Sequence, residues 1–208
     1  MDDRIFEQQN PWQTWLEPHS SSATPISPAG TTRPAGITPP VGISVEPMMY
    51  DFAADVLLSE PVLAPHAQAL PLPGCFLIEG GLRLSCLTPR HYLLHGQSRP
   101  SATQLDHWFG AYAQLIEQTG ARAHLLVSGP QRRACLRLGI PLDLDPLIFS
   151  KGMFAASFAG HVPIHLTALS AQQDELSCPL SMTGSFWHWL HQTAVPFGLE
   201  IKTTHIKG

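Results

Sequence analysis

The sequence predicts an α+β domain, with short helices packed on mostly antiparallel sheet. Three observations lead there. From about residue 70, runs of four to eight strand-favouring residues recur between turn signals. Two of those runs are joined directly by Gly80-Gly81, which makes them a hairpin. Between and after the strands, apolar residues fall at helical spacing in three separate windows.

The elements follow in order. "CFLIE", "LRLSCL" and "HYLLH" read as three strands, the first two linked by the Gly-Gly turn and the next by "TPR". Leu105, Trp108, Phe109, Tyr112, Leu115 and Ile116 then recur at helical spacing, with Ser101 or Thr103 to cap the start and Gly120 to end it. "RAHLLV" is a strand. "SGPQRRACLRLG" is a second helix, with Pro130 in its first turn, Ala134, Cys135 and Leu138 facing inward, and Gly139 at its end. "MFAASF", "VPIHLTAL" and "DELSCPL" are strand-like. A third helix carries Phe186, Trp189, Leu190, Ala194 and Phe197 on one face, capped by Thr183 or Ser185 and leaving Trp187 off the stripe. "LEIKTTHI" is a closing strand.

The front of the chain is different. Twelve of the twenty prolines lie in the first 73 residues, and from Pro18 to Val45 the only charge is Arg33. Such a stretch has too few large apolar groups to offset its ordering entropy. Residues 1–46 therefore read as a flexible Pro/Ser/Thr-rich lead, and residues 47–208 as the folded domain. Within the lead, Trp12 and Trp15 stand three apart, which is helical spacing. They are candidate anchors for a partner, since tryptophan is a common interface residue; the alternative is a frayed terminus.

Composition narrows the function. The net charge is −4 with no basic run, which argues against nucleic acid as a partner. No apolar run approaches the ~20 residues that span a bilayer, so no membrane partner is expected. "MDDRIFEQQNPW" is acidic and polar rather than a signal peptide, and Cys75, Cys86, Cys135 and Cys178 are scattered without a CxxC pair. These features indicate a cytoplasmic protein with reduced thiols. Charged residues make up only 13%, against roughly 25% in an average soluble domain, which favours contact with other chains.

The residues that could carry chemistry have structural explanations. Asp143 and Asp145 stand two apart in "LGIPLDLDPLIFSKGMF", after a helix-ending glycine. Asp145-Pro146 is an N-cap followed by proline at the first helical position, and Asp143 can accept N–H bonds in the bend before it. A calcium loop would need further oxygen ligands where this segment has Leu147, Ile148 and Phe149. The two aspartates are read as structural turn residues. His188 and His191 stand three apart on the third helix, but no third metal ligand or HExxH glutamate accompanies them. With Trp187 they are candidates for a partner interface. Gly80-Gly81 is followed by no phosphate-binding pattern, and Ser128-Gly129 lacks the second glycine of a nucleophile elbow. No catalytic residue and no metal ligand emerges, and cofactor-binding residues stay unassigned.

One resemblance adds to this reading. "SGPQRRACLRLGIPLDLDPLIF", the "CPLS" strand end and "SFWHWLHQTAVPFG" together resemble the gamma subunit of heterotetrameric sarcosine oxidase. Gly129, Pro130, Pro141, Leu142, Asp143, Leu144, Pro146, Phe149, Pro179, Ser181, Trp187, Trp189 and Leu190 stand at matching places. Upstream, "LSCLTPRHYLLHG" retains Pro89, Leu93 and Leu94, and the likeness covers about residues 68–200. The sequence departs from the pattern where Arg90, His91 and Tyr92 replace an acidic pair and tryptophan, where Leu180 replaces an arginine, and where an Asp-x-Ser segment before Ser128 is missing. The resemblance implies a fold related to the folate-binding domain of the glycine-cleavage aminomethyltransferase. It also implies a non-catalytic subunit, with the flavins (FAD, FMN) and folate held by the other subunits of a sarcosine oxidase-like heterotetramer; the N-methylglutamate dehydrogenase subunit is a close variant. The other readings are a stand-alone folate-binding one-carbon transfer protein and a scaffold of an unrelated complex.

The turn reading has a direct test. Replacing Asp143 or Asp145 by alanine is expected to cost about 0.5–2 kcal/mol of stability. Calcium or magnesium should leave the thermal midpoint of the wild-type chain unmoved. A cation-dependent rise that both substitutions abolish would show a metal site instead.

Overall fold

The computed structural model describes residues 10–20, 40–60, 70–110 and 113–202. Helix α1 (Gln13–Ser20) precedes strands β1 (Ile43–Met48) and β2 (Phe52–Leu58). A meander of β3 (Phe76–Glu79), β4 (Leu82–Thr88) and β5 (His91–Gly96) leads to helix α2 (Ala102–Phe109). Then come β6 (Ala113–Glu117), β7 (Arg122–Ser128), helix α3 (Arg132–Leu136), β8 (Phe154–Ala159), β9 (Val162–Ala168) and β10 (Gln173–Pro179). Helix α4 (Thr183–Ala194) and β11 (Leu199–Ile201) close the described chain.

The strands form two sheets. The larger has the order β11-β1-β7-β10-β9-β8 and is antiparallel except where β1 runs parallel to β11. The smaller has the order β3-β4-β5-β2-β6 and is antiparallel throughout. This is the α+β architecture of short helices on mostly antiparallel sheet. Each sheet builds its own apolar layer. Ile43, Val45, Leu125, Val127, Ile164, Leu166 and Leu176 of the larger sheet pack with α1, α3 and α4. Phe52, Val56, Leu84 and Leu94 of the smaller pack with Trp108 and Phe109 of α2. The sheets join at one edge, where Cys75 bridges Met153 and Phe154 donates its N–H to the Gly74 carbonyl.

Several expectations need correction. The helix expected from Ser101 to Gly120 stops at Phe109. Ser101 and Gln104 form the start as a reciprocal capping box. Gly110 ends it at φ 61°, a left-handed conformation that favours glycine. Leu115 and Ile116 then lie in β6, where Leu115 pairs with Val56. Tyr112 falls outside the described residues.

In α3 the buried side chains are Arg132, Cys135 and Leu136, whereas Leu138 is 67% exposed. The helix closes with i→i+3 bonds from Leu138 to Cys135 and from Gly139 to Leu136, which overwind the last turn and swing Leu138 outward. In α4 the buried arc is Thr183, Phe186, Trp187, Leu190 and Ala194. Trp187 is thus a core residue at 2% exposure, and the half-buried Trp189 lies over Gly139 and Gly160. No side chain caps the start of α4; Thr183 donates its hydroxyl to the Leu180 carbonyl instead.

The expected lead is also too long. Ile43 to Glu46 belong to β1, and Ile43 and Val45 are fully buried between β11 and β7. Trp12 is no partner anchor, because it is 0% exposed, donates its indole N–H to the His124 carbonyl at 2.8 Å and packs on Phe186. Trp15 is 41% exposed, with its ring over Gly184. The remainder of that lead, residues 1–9 and 21–39, and the end of the closing strand after Lys202 fall outside the described residues.

The two tryptophans should therefore behave differently. Trp12→Ala is expected to lower stability by about 3–5 kcal/mol, the range for emptying a large buried aromatic site. Trp15→Ala should cost well under half of that. Urea midpoints of the two variants check the contrast, and equal small losses would place Trp12 outside the core.

Candidate functional site

Alternation along each strand sends one set of side chains to the helices and the other toward the opposite sheet. The inward set is unusually polar. Arg83 on β4 and His95 on β5 are cross-strand partners, and His124 on β7 pairs with Ser177 on β10, which also pairs with His165 on β9. Glu175 stands two residues before Ser177, on the same face of β10.

Glu175 is the centre of this layer, at 1% exposure. Arg83 donates to both of its oxygens, through Nη2 to Oε1 at 2.9 Å and through Nη1 to Oε2. The Tyr50 hydroxyl donates to Oε2 at 2.8 Å, and His124 Nδ1 lies 2.8 Å from Oε1. Burial by itself pushes the Glu175 carboxyl up. The charge and hydrogen bonds of Arg83, with those of His124, outweigh it and hold the group well below the usual carboxylate range. An ionised carboxylate only accepts, so His124 carries a proton on Nδ1 and donates it to Oε1. Burial, and after it the charge on Glu175, raise the Tyr50 phenol far above its ordinary value.

Around this network lie two further imidazoles. His95 stacks against Tyr50 and His124 at ring separations of 5.1 and 5.2 Å, and His165 packs on Phe154. Burial, reinforced by the Arg83 charge, holds His95 well below the usual imidazole range. Burial and the nearby Arg122 charge bring His165 down to about 3. Both rings are neutral at pH 7. Their Nδ1 atoms are buried with no hydrogen-bond partner among the described residues.

Tyr50, His95, His124 and His165 wall a cavity of about 660 Å³ between the sheets, with Met48, Met49, Leu93 and Arg122; Arg83 and Glu175 lie behind that wall. Arg122 is held by Ser177, through Nε to the hydroxyl at 3.1 Å and Nη2 to the carbonyl at 2.9 Å. Asp55 also lines the cavity and is engaged by His91 at 3.0 Å. With four donors on its carboxylate, Glu175 is a tethering group rather than a free base. The arrangement can receive a small molecule, and the neutral imidazoles can accept or donate hydrogen bonds to it.

The residues singled out from sequence lie elsewhere. Asp143 Oδ1 accepts the Asp145 N–H at 3.0 Å, and Asp145 Oδ1 accepts the Leu147 N–H at 2.9 Å, which are turn and cap bonds. His188 is exposed, while His191 packs on Trp187 at a ring separation of 5.7 Å. Buried Trp187 cannot contribute the interface surface expected of it; Trp15 and His188 remain accessible. Among the described residues, no three His, Cys, Asp or Glu side chains come together to hold a metal. None of Arg83, His95, Arg122, His124, His165 and Glu175 was singled out from sequence. The available signal was a histidine or charge at alternate positions inside apolar strands, as in "AHLLV", "PIHLT" and "DELSC".

No family model matches the chain, and no curated protein matches it significantly. Solved structures do match. A chain of the heterotetrameric sarcosine oxidase from Corynebacterium sp. U-96 superposes with a TM-score of 0.64 at 21% identity, covering 75% of this chain and 85% of that one. The glycine cleavage system aminomethyltransferase T from Bartonella henselae superposes with a TM-score of 0.53 at 15% identity, covering 77% of this chain and 48% of that one. At these identities the likeness establishes the fold, which this chain shares with both.

The buried histidines set a pH dependence. Their folded values are lowered, so the stability that they contribute is fully present above the unfolded imidazole value near 6.5 and is lost as pH falls through it. For His165 the loss continues down to about 3. Each histidine should contribute a slope of about 1.4 kcal/mol per pH unit in that window. Glu175 adds a loss of the same sign below its unfolded value of about 4.5. Urea unfolding at several pH values between about 7.5 and 5 should show falling stability, with a shallower slope in His165→Gln. A flat profile over that range would contradict neutral buried rings.

Proposed function

We propose that this chain is the small, non-catalytic subunit of a multi-subunit flavin-dependent oxidoreductase that oxidises N-methyl secondary amines, of the heterotetrameric sarcosine oxidase kind. The observation that carries the reading is how completely the two folds coincide. The superposition takes in 85% of the sarcosine oxidase chain, but the same domain accounts for only about half of the aminomethyltransferase chain. The motif resemblance through Gly129–Phe149 and Pro179–Leu190 supports it, with its gamma-subunit identity. In this reading FAD, FMN and folate belong to the partner subunits, the complex is cytoplasmic, and no nucleic acid or membrane is involved. Among the described residues no helix is long and apolar enough to cross a membrane. The site chemistry agrees in kind, since the central carboxylate is saturated by its own protein. Leu138, Leu147, Ile148 and Leu180 leave apolar surface for partners, Leu147 at 93% exposure.

Expressed with the products of its neighbouring genes, the chain should co-purify in a yellow complex that transfers electrons from sarcosine or a related N-methyl amine. Purified alone, it should carry no flavin absorbance and have no such activity. Stoichiometric flavin on the lone chain, or full turnover without partners, would overturn the assignment. Folate-dependent one-carbon transfer by the lone chain would favour the stand-alone reading.

A further inference from the structure

We infer that the cavity between the two sheets is a binding site for a small carboxylate with an apolar body, gripped by Arg122. This site is separate from the assembly reading and stands or falls without it. The first observation concerns the arginines. Arg83 has Glu175 as its carboxylate partner, and Arg132 and Arg133 share Asp174. Arg122 is the exception among the arginines in the protein interior. It lines the cavity, yet no carboxylate lies within ion-pair distance of it among the described residues; its only partner is the neutral Ser177. Asp55, on the same wall, is bonded to His91 instead. Burial of an unpaired guanidinium is unfavourable, and here it lowers the Arg122 pKa. An entering carboxylate would supply the missing charge.

The second observation is the state of the wall. Ser177 fixes Arg122 through Nε and Nη2, so the planar fork is held in place before any ligand arrives, and its Nη1 has no partner among the described residues. The rings of His95, 5% exposed, and of His165 also line the wall. These imidazoles are uncharged and do not compete with Arg122 for an anion. Met48, Met49 and Leu93 make much of the remaining surface apolar. The size, about 660 Å³, lies within the range of small-molecule sites and leaves ample room for one ring. The cavity's other charged group, the Asp55 carboxylate, is already engaged by His91, so the fixed guanidinium of Arg122 favours a monoanion over a cation or a polyanion.

The test uses the full chain with benzoate, its neutral isostere benzamide, and benzylamine as the cationic counterpart, each titrated by calorimetry and by thermal shift. Benzoate should bind at least about tenfold more tightly than benzamide, with benzylamine not binding. Arg122→Gln should weaken benzoate at least about tenfold and leave benzamide unchanged. Arg122→Lys, which keeps the charge but loses the fork, should retain intermediate affinity; this guards against a folding defect in the glutamine variant, as does comparison of their circular dichroism. Arg99→Gln, at an exposed ion pair with Glu117, should behave as wild type. The proposal is overturned if benzoate and benzamide bind alike, if Arg122→Gln folds and keeps wild-type benzoate affinity, if Arg122→Lys folds yet binds no better than Arg122→Gln, or if benzoate does not bind at millimolar concentration.

Discussion

The structure depends on a charge pair between its two sheets. Each sheet directs its apolar face outward to its own helices, so the faces that meet in the middle are polar. Glu175 on β10 and Arg83 on β4 are both almost wholly buried there, at 1% and 5% exposure. Removing one partner from such a pair leaves an uncompensated buried charge, a cost of about 3–5 kcal/mol. The pair is tolerable because both carboxylate oxygens are filled, by Arg83, Tyr50 and His124. Separating the sheets would break both Arg83 bonds at once and leave Glu175 with only His124 from its own sheet and Tyr50.

That tether explains the cavity beside it. Apolar inner faces would close on one another to native packing density. Here the spacing is set by the reach of Arg83 to Glu175, and the large rings of Tyr50, His95 and His124 stack edge to face around it. The neighbouring region, where Arg122 and His165 project, has no matching partner from the smaller sheet and stays open. A polar interlayer therefore gives both rigidity and a chamber, and the same residues cannot be assigned to one without affecting the other.

Much of the fold was legible because its signals are local. The Gly80-Gly81 hairpin forms as expected, both glycines having positive φ, and the capping box at Ser101 is a sequence motif that appears as bonds. The helix overrun through Leu115 shows the limit of periodicity. Residues 105–116 fit a helical period, and Ala113 and Leu115 fit a strand period equally well. Gly110 decides between them, and its conformation depends on where the chain must go next. Trp187 and Trp189 exchanged roles because a one-residue rotation of the helix face is smaller than the pattern can resolve. The central site was not legible at all. Arg83 and Glu175 are 92 residues apart, and His124 lies 51 from Glu175, so no window contains the constellation.

The segment that carries the family resemblance also turns out to be a brace. Gly129 adopts φ 104°, and a Cβ there would lie 2.6 Å from the Gly42 carbonyl oxygen, so only glycine lets β1 and the start of α3 approach. Arg132 and Arg133 then clasp Asp174 on β10, and Arg133 also donates to the carbonyls of Leu144 and Phe149. Those bonds pin both ends of the turn that Asp143 and Asp145 organise. The motif residues thus hold a loop against the larger sheet, and their pattern follows from the fold's own mechanics. A shared motif of this kind is evidence for a shared architecture. What that loop displays is a different matter: Leu147 and Ile148 stand exposed at its tip, 93% and 56%, on a backbone that is fixed from beneath. Rigid support under exposed apolar side chains is the arrangement that lowers the entropic cost of docking. The brace thus holds its exposed apolar tip on a fixed backbone.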